Sequence, residues 1–255
     1  MTVLELTVLG CWAPYPRAGG ACSGYLIRDG KTAIMLEAGN GSFSRLLEIM
    51  DFRGLSAVVV SHYHTDHCAD MFCLRHAIKG ARRDGSRVER LTLYAPGAPR
   101  DDFERLAAHG DAFDVRAIEE LPVVDGFRTA QAGELKLGFW STRHSLPGYG
   151  VAVTGGNRRL VYSGDTGRFP ELGRFLEGAA LLLCEASGFA GDEEQIGQWH
   201  LSARQAGELA AESGAARLVL THFWPEYDPE QLRAEAAAYC RCPVSAAREG
   251  ETYHY

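Results

Sequence analysis

The densest concentration of chemistry in the chain is the heptapeptide Ser61-His62-Tyr63-His64-Thr65-Asp66-His67. It puts three of the nine histidines and one carboxylate within six positions. Imidazole nitrogen and carboxylate oxygen form the donor set that suits Zn²⁺ and neighbouring divalent metals. Alternate side chains of an extended backbone share a side, so His62 and His64 point the same way and can hold one ion together. A turn through Thr65 would then send Asp66 and His67 toward a second ion beside the first. The competing description is a polar loop that happens to contain histidines, and such crowding argues against it.

These residues need an edge from which to project. Leu55–Val60 reads as a buried strand that stops at Ser61, and α/β folds place ligands at the ends of such strands. Upstream, Thr2–Leu9, Cys22–Arg28 and Thr32–Glu37 read as strands, the last two joined by the hairpin dipeptide Asp29-Gly30. Ser42–Met50 repeats Phe43, Leu46, Leu47 and Met50 at helical spacing. Downstream come a helix over Cys68–Lys79, a basic loop over Gly80–Arg90, a strand over Leu91–Tyr94 and a helix over Arg100–His109. Short strands follow between Phe113 and Tyr162. In the last third, strands Leu181–Cys184 and Arg217–Thr221 alternate with helices Ser202–Ser213 and Pro229–Tyr239. Two β-rich parts, each with helices, predict two packed sheets with helices outside. No linker or repeat interrupts residues 1–255, so one domain is expected.

The 255 residues carry a net charge of −7, with 46% hydrophobic and 23% charged residues, which excludes a disordered chain. The acidic balance argues against wrapping nucleic acid. No apolar run reaches the roughly 18–20 residues of a membrane helix. The start, Met1-Thr2-Val3-Leu4-Glu5, lacks the basic and apolar segments of a secretion signal, so a cytoplasmic location is expected. Seven irregularly spaced cysteines read as reduced thiols. The Cys240-x-Cys242 pair supplies two thiolates where a structural zinc needs four ligands, and is read as two ordinary thiols. The basic loop 79–90 is read as solvated. His76, His109 and His254 have no partner pattern.

The run His62-x-His64-x-Asp66-His67 resembles the metal-binding motif of the metallo-β-lactamase superfamily, and the resemblance extends along most of the chain. It implies an αββα sandwich. It also implies that His144, in Ser141-Thr142-Arg143-His144-Ser145, completes the first metal site. Asp165, in Ser163-Gly164-Asp165-Thr166-Gly167, would bridge both ions, and His222, in Leu220-Thr221-His222-Phe223, would complete the second site. Taken singly these are weak signals, because lone histidines and Asp-Gly turns are common. Their joint order is what carries weight. His200-Leu201-Ser202-Ala203 resembles the His-Ser-Thr-Ala stretch of ribonuclease Z and related phosphodiesterases. Glu185-Ala186-Ser187 resembles part of their His-Glu-Ala-Thr stretch. The resemblance implies that His200 faces the substrate phosphate without binding metal and that Glu185 orients it, with Ser202 capping the next helix. Two departures stand out. Leu36-Glu37-Ala38-Gly39 carries Glu where the family usually has Asp. Only 21 positions separate His144 from Asp165, which leaves no room for the arm that grips transfer RNA.

The expectation is therefore a dinuclear metal hydrolase of the ribonuclease Z-like branch without that arm. Two divalent ions are expected, Zn²⁺ first, with Mn²⁺ or Fe as alternatives for the same donors. Hydroxide held between them would attack a small nucleotide or short oligonucleotide phosphodiester, with Asp66 orienting the attacking water. Transfer RNA is not expected as a partner, and the family's habit suggests a homodimer. Two alternatives stand: a carboxylic ester, thioester or lactone hydrolase on the same scaffold, and a metal-binding module without catalysis. Degraded ligand positions would mark the latter, and all seven candidate ligands are present.

Overall fold

Period-two burial along the strands organises the molecule into layers. The computed structural model describes residues 4–255. The strand expected over Thr2–Leu9 is β1 (Glu5–Gly10); Thr2 and Val3 lie outside the described residues. The hairpin of β2 (Gly24–Asp29) and β3 (Thr32–Ala38) turns through Gly30 at φ +57°. Then come α1 (Ser42–Ile49), β4 (Ala57–Val59), α2 (Thr65–Cys68), α3 (Met71–Arg83), β5 (Leu91–Ala95), α4 (Arg100–Ala107) and β6 (Phe113–Ala117). Five successively antiparallel strands follow: β7 (Val123–Val124), β8 (Phe127–Ala132), β9 (Leu135–Ser141), β10 (Tyr149–Gly155) and β11 (Arg158–Tyr162). The remainder is α5 (Leu172–Leu176), β12 (Leu181–Glu185), α6 (Glu193–Ile196), α7 (Ala203–Ser213), β13 (Leu218–Thr221), α8 (Pro229–Ala237), β14 (Val244–Ala246) and β15 (Thr252–His254).

One sheet is ordered β15-β1-β2-β3-β4-β5-β6 and the other β14-β13-β12-β11-β10-β9-β8-β7. Parallel pairing runs from β3 to β6 in the first sheet and from β11 to β14 in the second. Leu6, Tyr25, Ile27, Ile34, Leu36 and Val59 of the first sheet meet Phe139, Val151, Val153, Tyr162 and Leu182 of the second in one buried cluster. The alternate residues Leu26, Met35, Val58 and Leu93 face the other way, against Phe43 and Leu46 of α1 and Leu74 and Ile78 of α3. On the far side, α7 contributes Ala206, Leu209 and Ala210 to the core. Each fully buried aliphatic side chain is worth about 1.5–3 kcal/mol. The architecture is the αββα sandwich.

The structure redraws one stretch. The helix expected over Cys68–Lys79 is two helices, with Cys68 ending the short α2 and α3 beginning at Met71. α3 continues to Arg83 because Ile78 and Ala81 extend its buried face by one more turn. Residues 79–83 of the expected basic loop are therefore helical. Arg87, farther on, donates to the carbonyls of Arg53 and Leu55 and ties the remaining loop to the turn that precedes β4. His76 and His109 both lie against Arg75. All seven cysteines are free thiols. No helix among the described residues is long and apolar enough to cross a membrane.

Candidate metal centre

Two loop systems meet at one rim of the sandwich. β4 delivers Ser61–His67 from the first sheet, its three residues fully buried. From the second sheet come His144 beyond β9, Asp165 beyond β11, Glu185 at the end of β12 and His222 just past β13. The close packing of the first loop system depends on Gly39, since a Cβ there would stand 2.0 Å from the Asp66 carbonyl oxygen. His222 has φ +60°, a left-handed conformation that histidine tolerates better than most residues.

The seven residues singled out in the sequence fall into two adjoining groups. In the first, His62 Nε2 lies 2.9 Å from His64 Nδ1, which lies 3.1 Å from His144 Nε2. Asp165 Oδ2 stands 3.7 Å from His62 Nε2 and 4.0 Å from His144 Nε2. In the second, His67 Nε2 and His222 Nε2 are 3.2 Å apart. Asp66 Oδ2 is 3.4 Å and 3.5 Å from those two nitrogens. Asp165 Oδ2 is 3.3 Å and 3.0 Å from the same pair. One oxygen of Asp165 thus belongs to both groups.

These spacings fit a divalent cation. Four ligands at roughly 2.0–2.1 Å around Zn²⁺ form a tetrahedron with edges of about 3.3 Å. The second group matches that edge length closely, and the first is somewhat more open. Neutral imidazoles do not bring lone pairs within 3 Å of each other unless a proton or cation lies between them. Asp165 Oδ1 is also buried without a hydrogen-bond partner, which is costly in an apolar setting.

The ring atoms facing away from the clusters have partners of their own. Ser61 Oγ lies 3.0 Å from His62 Nδ1, and His144 Nδ1 donates to the Trp199 carbonyl at 3.1 Å. Glu37 Oε1 faces His67 Nδ1 at 3.4 Å as a charge contact short of a hydrogen bond, while its Oε2 accepts the Ser61 N–H at 3.0 Å. Such outward contacts fix the tautomer and leave the inward nitrogen's lone pair free.

Electrostatics differ between the two groups. Burial, and then the neighbouring His67, drive the His62 pKa well below the ordinary histidine value. Burial also works against a proton on His67, but Asp165, Asp66 and Glu37 overcome it and hold that pKa well above the ordinary value. His222 shows the same balance, with Asp165 prevailing over burial and raising it to about 10. Burial disfavours the Asp165 charge, yet His222 and His67 push its pKa well below the usual carboxylate range.

His200 stands beside these groups. Its Nδ1 lies 2.9 Å from Glu185 Oε2, and its ring centroid is 5.0 Å from that of His144 and 5.5 Å from that of His222. It also comes within 4.8 Å of Asp165 and His222 as a candidate third group. Burial lowers its pKa, but the charge and hydrogen bond of Glu185 more than reverse this, so the net shift is upward. Glu185 is fully buried, and its Oε1 accepts the Thr166 N–H. Ser202 caps α7, accepting from the Gln205 N–H at 3.1 Å while Gln205 Oε1 accepts the Ser202 N–H at 3.1 Å. The Trp199 carbonyl carried no sequence signal, because any residue supplies one, and Ser187, noted only as part of the stretch resembling His-Glu-Ala-Thr, has a hydroxyl that touches both Glu185 and His222.

A sandwich whose two sheets converge on a shared-carboxylate histidine cluster defines a class, and the comparisons agree with it. Residues 20–223 match the beta-lactamase superfamily domain, and the chain belongs to the metallo-β-lactamase superfamily. It is 29% identical over 248 residues to "Probable metallo-hydrolase YhfI" of Bacillus subtilis (strain 168), covering 97% of this chain and 98% of that protein. The crystal structure of YhfI aligns with a TM-score of 0.91 over 99% of this chain and 100% of that one. Ribonuclease Z of Thermobifida fusca is 28% identical over 295 residues, covering 93% of this chain and 90% of its own length. A diphosphatase from the PhnP family, 16% identical, shares the fold with a TM-score of 0.77 over 100% of this chain and 98% of that one.

Proposed function

We propose that this chain, acting as one domain, is a dinuclear metal hydrolase that cleaves a small phosphodiester, such as a nucleotide or short oligonucleotide. The observation that carries the reading is Asp165 Oδ2, held within 3.0–4.0 Å of four histidine nitrogens drawn from both groups. His62, His64 and His144 would hold one ion, Asp66, His67 and His222 the other, and Asp165 both. Zn²⁺ suits the donor set best, with Mn²⁺ or Fe as alternatives. When bound, such a pair of cations acidifies water near neutral pH and neutralises charge developing on phosphate.

The chain's own residues supply the rest. Asp66, whose Oδ2 stands 3.4 Å and 3.5 Å from His67 and His222 Nε2, would also orient the attacking water. Glu185 holds His200 through Nδ1 and favours its charged form, so the other ring nitrogen would contact the phosphate or protonate the departing oxygen. A charged contact of that kind would favour phosphate over a neutral ester. The relatives named ribonuclease Z and diphosphatase support the same substrate class. The interval between His144 and Asp165 is spent largely on the hairpin β10–β11, so a small substrate fits better than transfer RNA.

The test is metal analysis joined to a substrate panel. Protein loaded with Zn²⁺ or Mn²⁺ should hydrolyse bis-p-nitrophenyl phosphate well ahead of p-nitrophenyl acetate and a lactone. Preference for the acetate or lactone would move the assignment to ester hydrolysis. Two bound ions with no turnover on any of the three would identify a metal-binding module.

A further inference from the structure

We infer that Ser187 is a positioning residue that fixes the tautomer of His222 for metal binding. The inference rests on the proposed metal site, though not on which bond the enzyme cleaves. Ser187 Oγ lies 2.6 Å from Glu185 Oε2 and 2.9 Å from His222 Nδ1. A carboxylate only accepts hydrogen bonds, and a hydroxyl has a single proton to give. Ser187 therefore donates to Glu185 and must accept from His222, which requires the proton on Nδ1. That leaves the lone pair of Nε2 for the cluster, where His67 and Asp165 lie 3.2 Å and 3.0 Å away.

Among the described residues, no other hydrogen bond reaches His222 Nδ1. The nearest alternative acceptor, Glu185 Oε2, is 3.9 Å from His222 Nδ1, beyond hydrogen-bond reach. The hydroxyl is in effect an extension of the Glu185 carboxylate, carried across that gap. Its backbone is held as well: the Ser187 N–H donates to the Leu201 carbonyl at 2.9 Å, and the Ala186 N–H to the Thr221 carbonyl at 2.9 Å. Glu185 thus serves two histidines through one oxygen, His200 directly and His222 through Ser187. Removing the hydroxyl leaves the first of these contacts in place.

The test compares metal-depleted wild type with Ser187→Ala, Ser187→Thr and Ser187→Val by Zn²⁺ titration against a competing chelator. Thr keeps the hydroxyl, and Val keeps the shape of Thr without it. Ser187→Ala and Ser187→Val should weaken the second ion tenfold to a hundredfold and leave the first within about twofold. Ser187→Thr should stay near wild type. Co²⁺ substitution gives a second readout, since the absorption of the second ion should shift in the Ala and Val variants and not in Thr. Thermal melts of the metal-free proteins report folding independently. Unchanged second-ion affinity in Ala and Val, a Thr variant as weak as both, or a wild type that takes up only one ion would each overturn the inference. A wild type that binds two ions but cleaves no phosphodiester would sink the substrate reading and leave the role of Ser187 standing.

Discussion

Glu37 offers the sharpest test of how the metal loop is held. Its side chain is fully buried, its backbone has φ +61°, and its two oxygens face two different elements of the site. Oε2 accepts the Ser61 N–H at 3.0 Å, and Oε1 stands 3.4 Å from His67 Nδ1. Glu37→Gln conserves volume and can still accept from Ser61 through its carbonyl. Its amide NH₂ then faces the Nδ1–H of His67, donor against donor. His67 must either move or surrender the tautomer that leaves Nε2 free. Loss of a carboxylate that faces the outer nitrogen of a metal-ligating histidine typically costs roughly tenfold to a hundredfold in metal affinity. The second ion should weaken by that factor, and the first much less. Glu37→Ala should be worse, because it strands both donors in a dry interior at a stability cost of about 2–5 kcal/mol. Calorimetric Zn²⁺ titration and urea unfolding of the two variants measure these effects. Wild-type second-ion affinity in Glu37→Gln would refute the argument that this carboxylate orients His67.

Three further outcomes follow from the same geometry. Asp165→Ala should lose at least one ion by elemental analysis and abolish turnover; full activity with two ions retained contradicts the shared-oxygen assignment. His200→Gln should keep both ions and lower kcat by about 10²–10⁴-fold, a split that a merely structural histidine would not produce. The raised pKa values of His67 and His222 mean that the chelator-treated protein gains stability from their charged forms. That contribution is complete below the ordinary histidine value near 6.5 and fades as pH rises toward about 10 for His222. The Tm of metal-free protein should accordingly fall across that window, and a Tm flat from pH 7 to 10 would count against the carboxylate–imidazole clustering.

Much of the architecture could be read before any coordinates, for identifiable reasons. The all-apolar run ending at Val60 and the polar turn after it are local signals, and β4 with its histidine loop lies where they put it. Ser202 was legible as a helix cap because capping chemistry is local too. The start of α3 was not, since apolar periodicity does not separate one helix from two joined at Ala69 and Asp70. The order of strands across each sheet, and the return of β15 to β1, depend on contacts distant in sequence. His144, Asp165 and His222 could be joined to His62–His67 only through family resemblance, because nothing near them marks them as partners of that segment. Ser187 was visible as part of the stretch that resembles His-Glu-Ala-Thr, but its role was not, because its use depends on Glu185 and His222 being placed first. Glu37 read as a departure from the family pattern, yet its longer side chain reaches Ser61 and His67 from the end of β3.

The two sheets contribute unequally to the rim. Four of the seven clustered residues hang from the first sheet and three from the second, while the apolar seam between the sheets ends just beneath them. A cation pair seated there would act as a clasp, closing across a border where loops from both layers meet. Stripping the ions should therefore leave the far end of the seam quiet. The fraying would begin at the clasp, with amide protons of the β4 and β13 loops exchanging first.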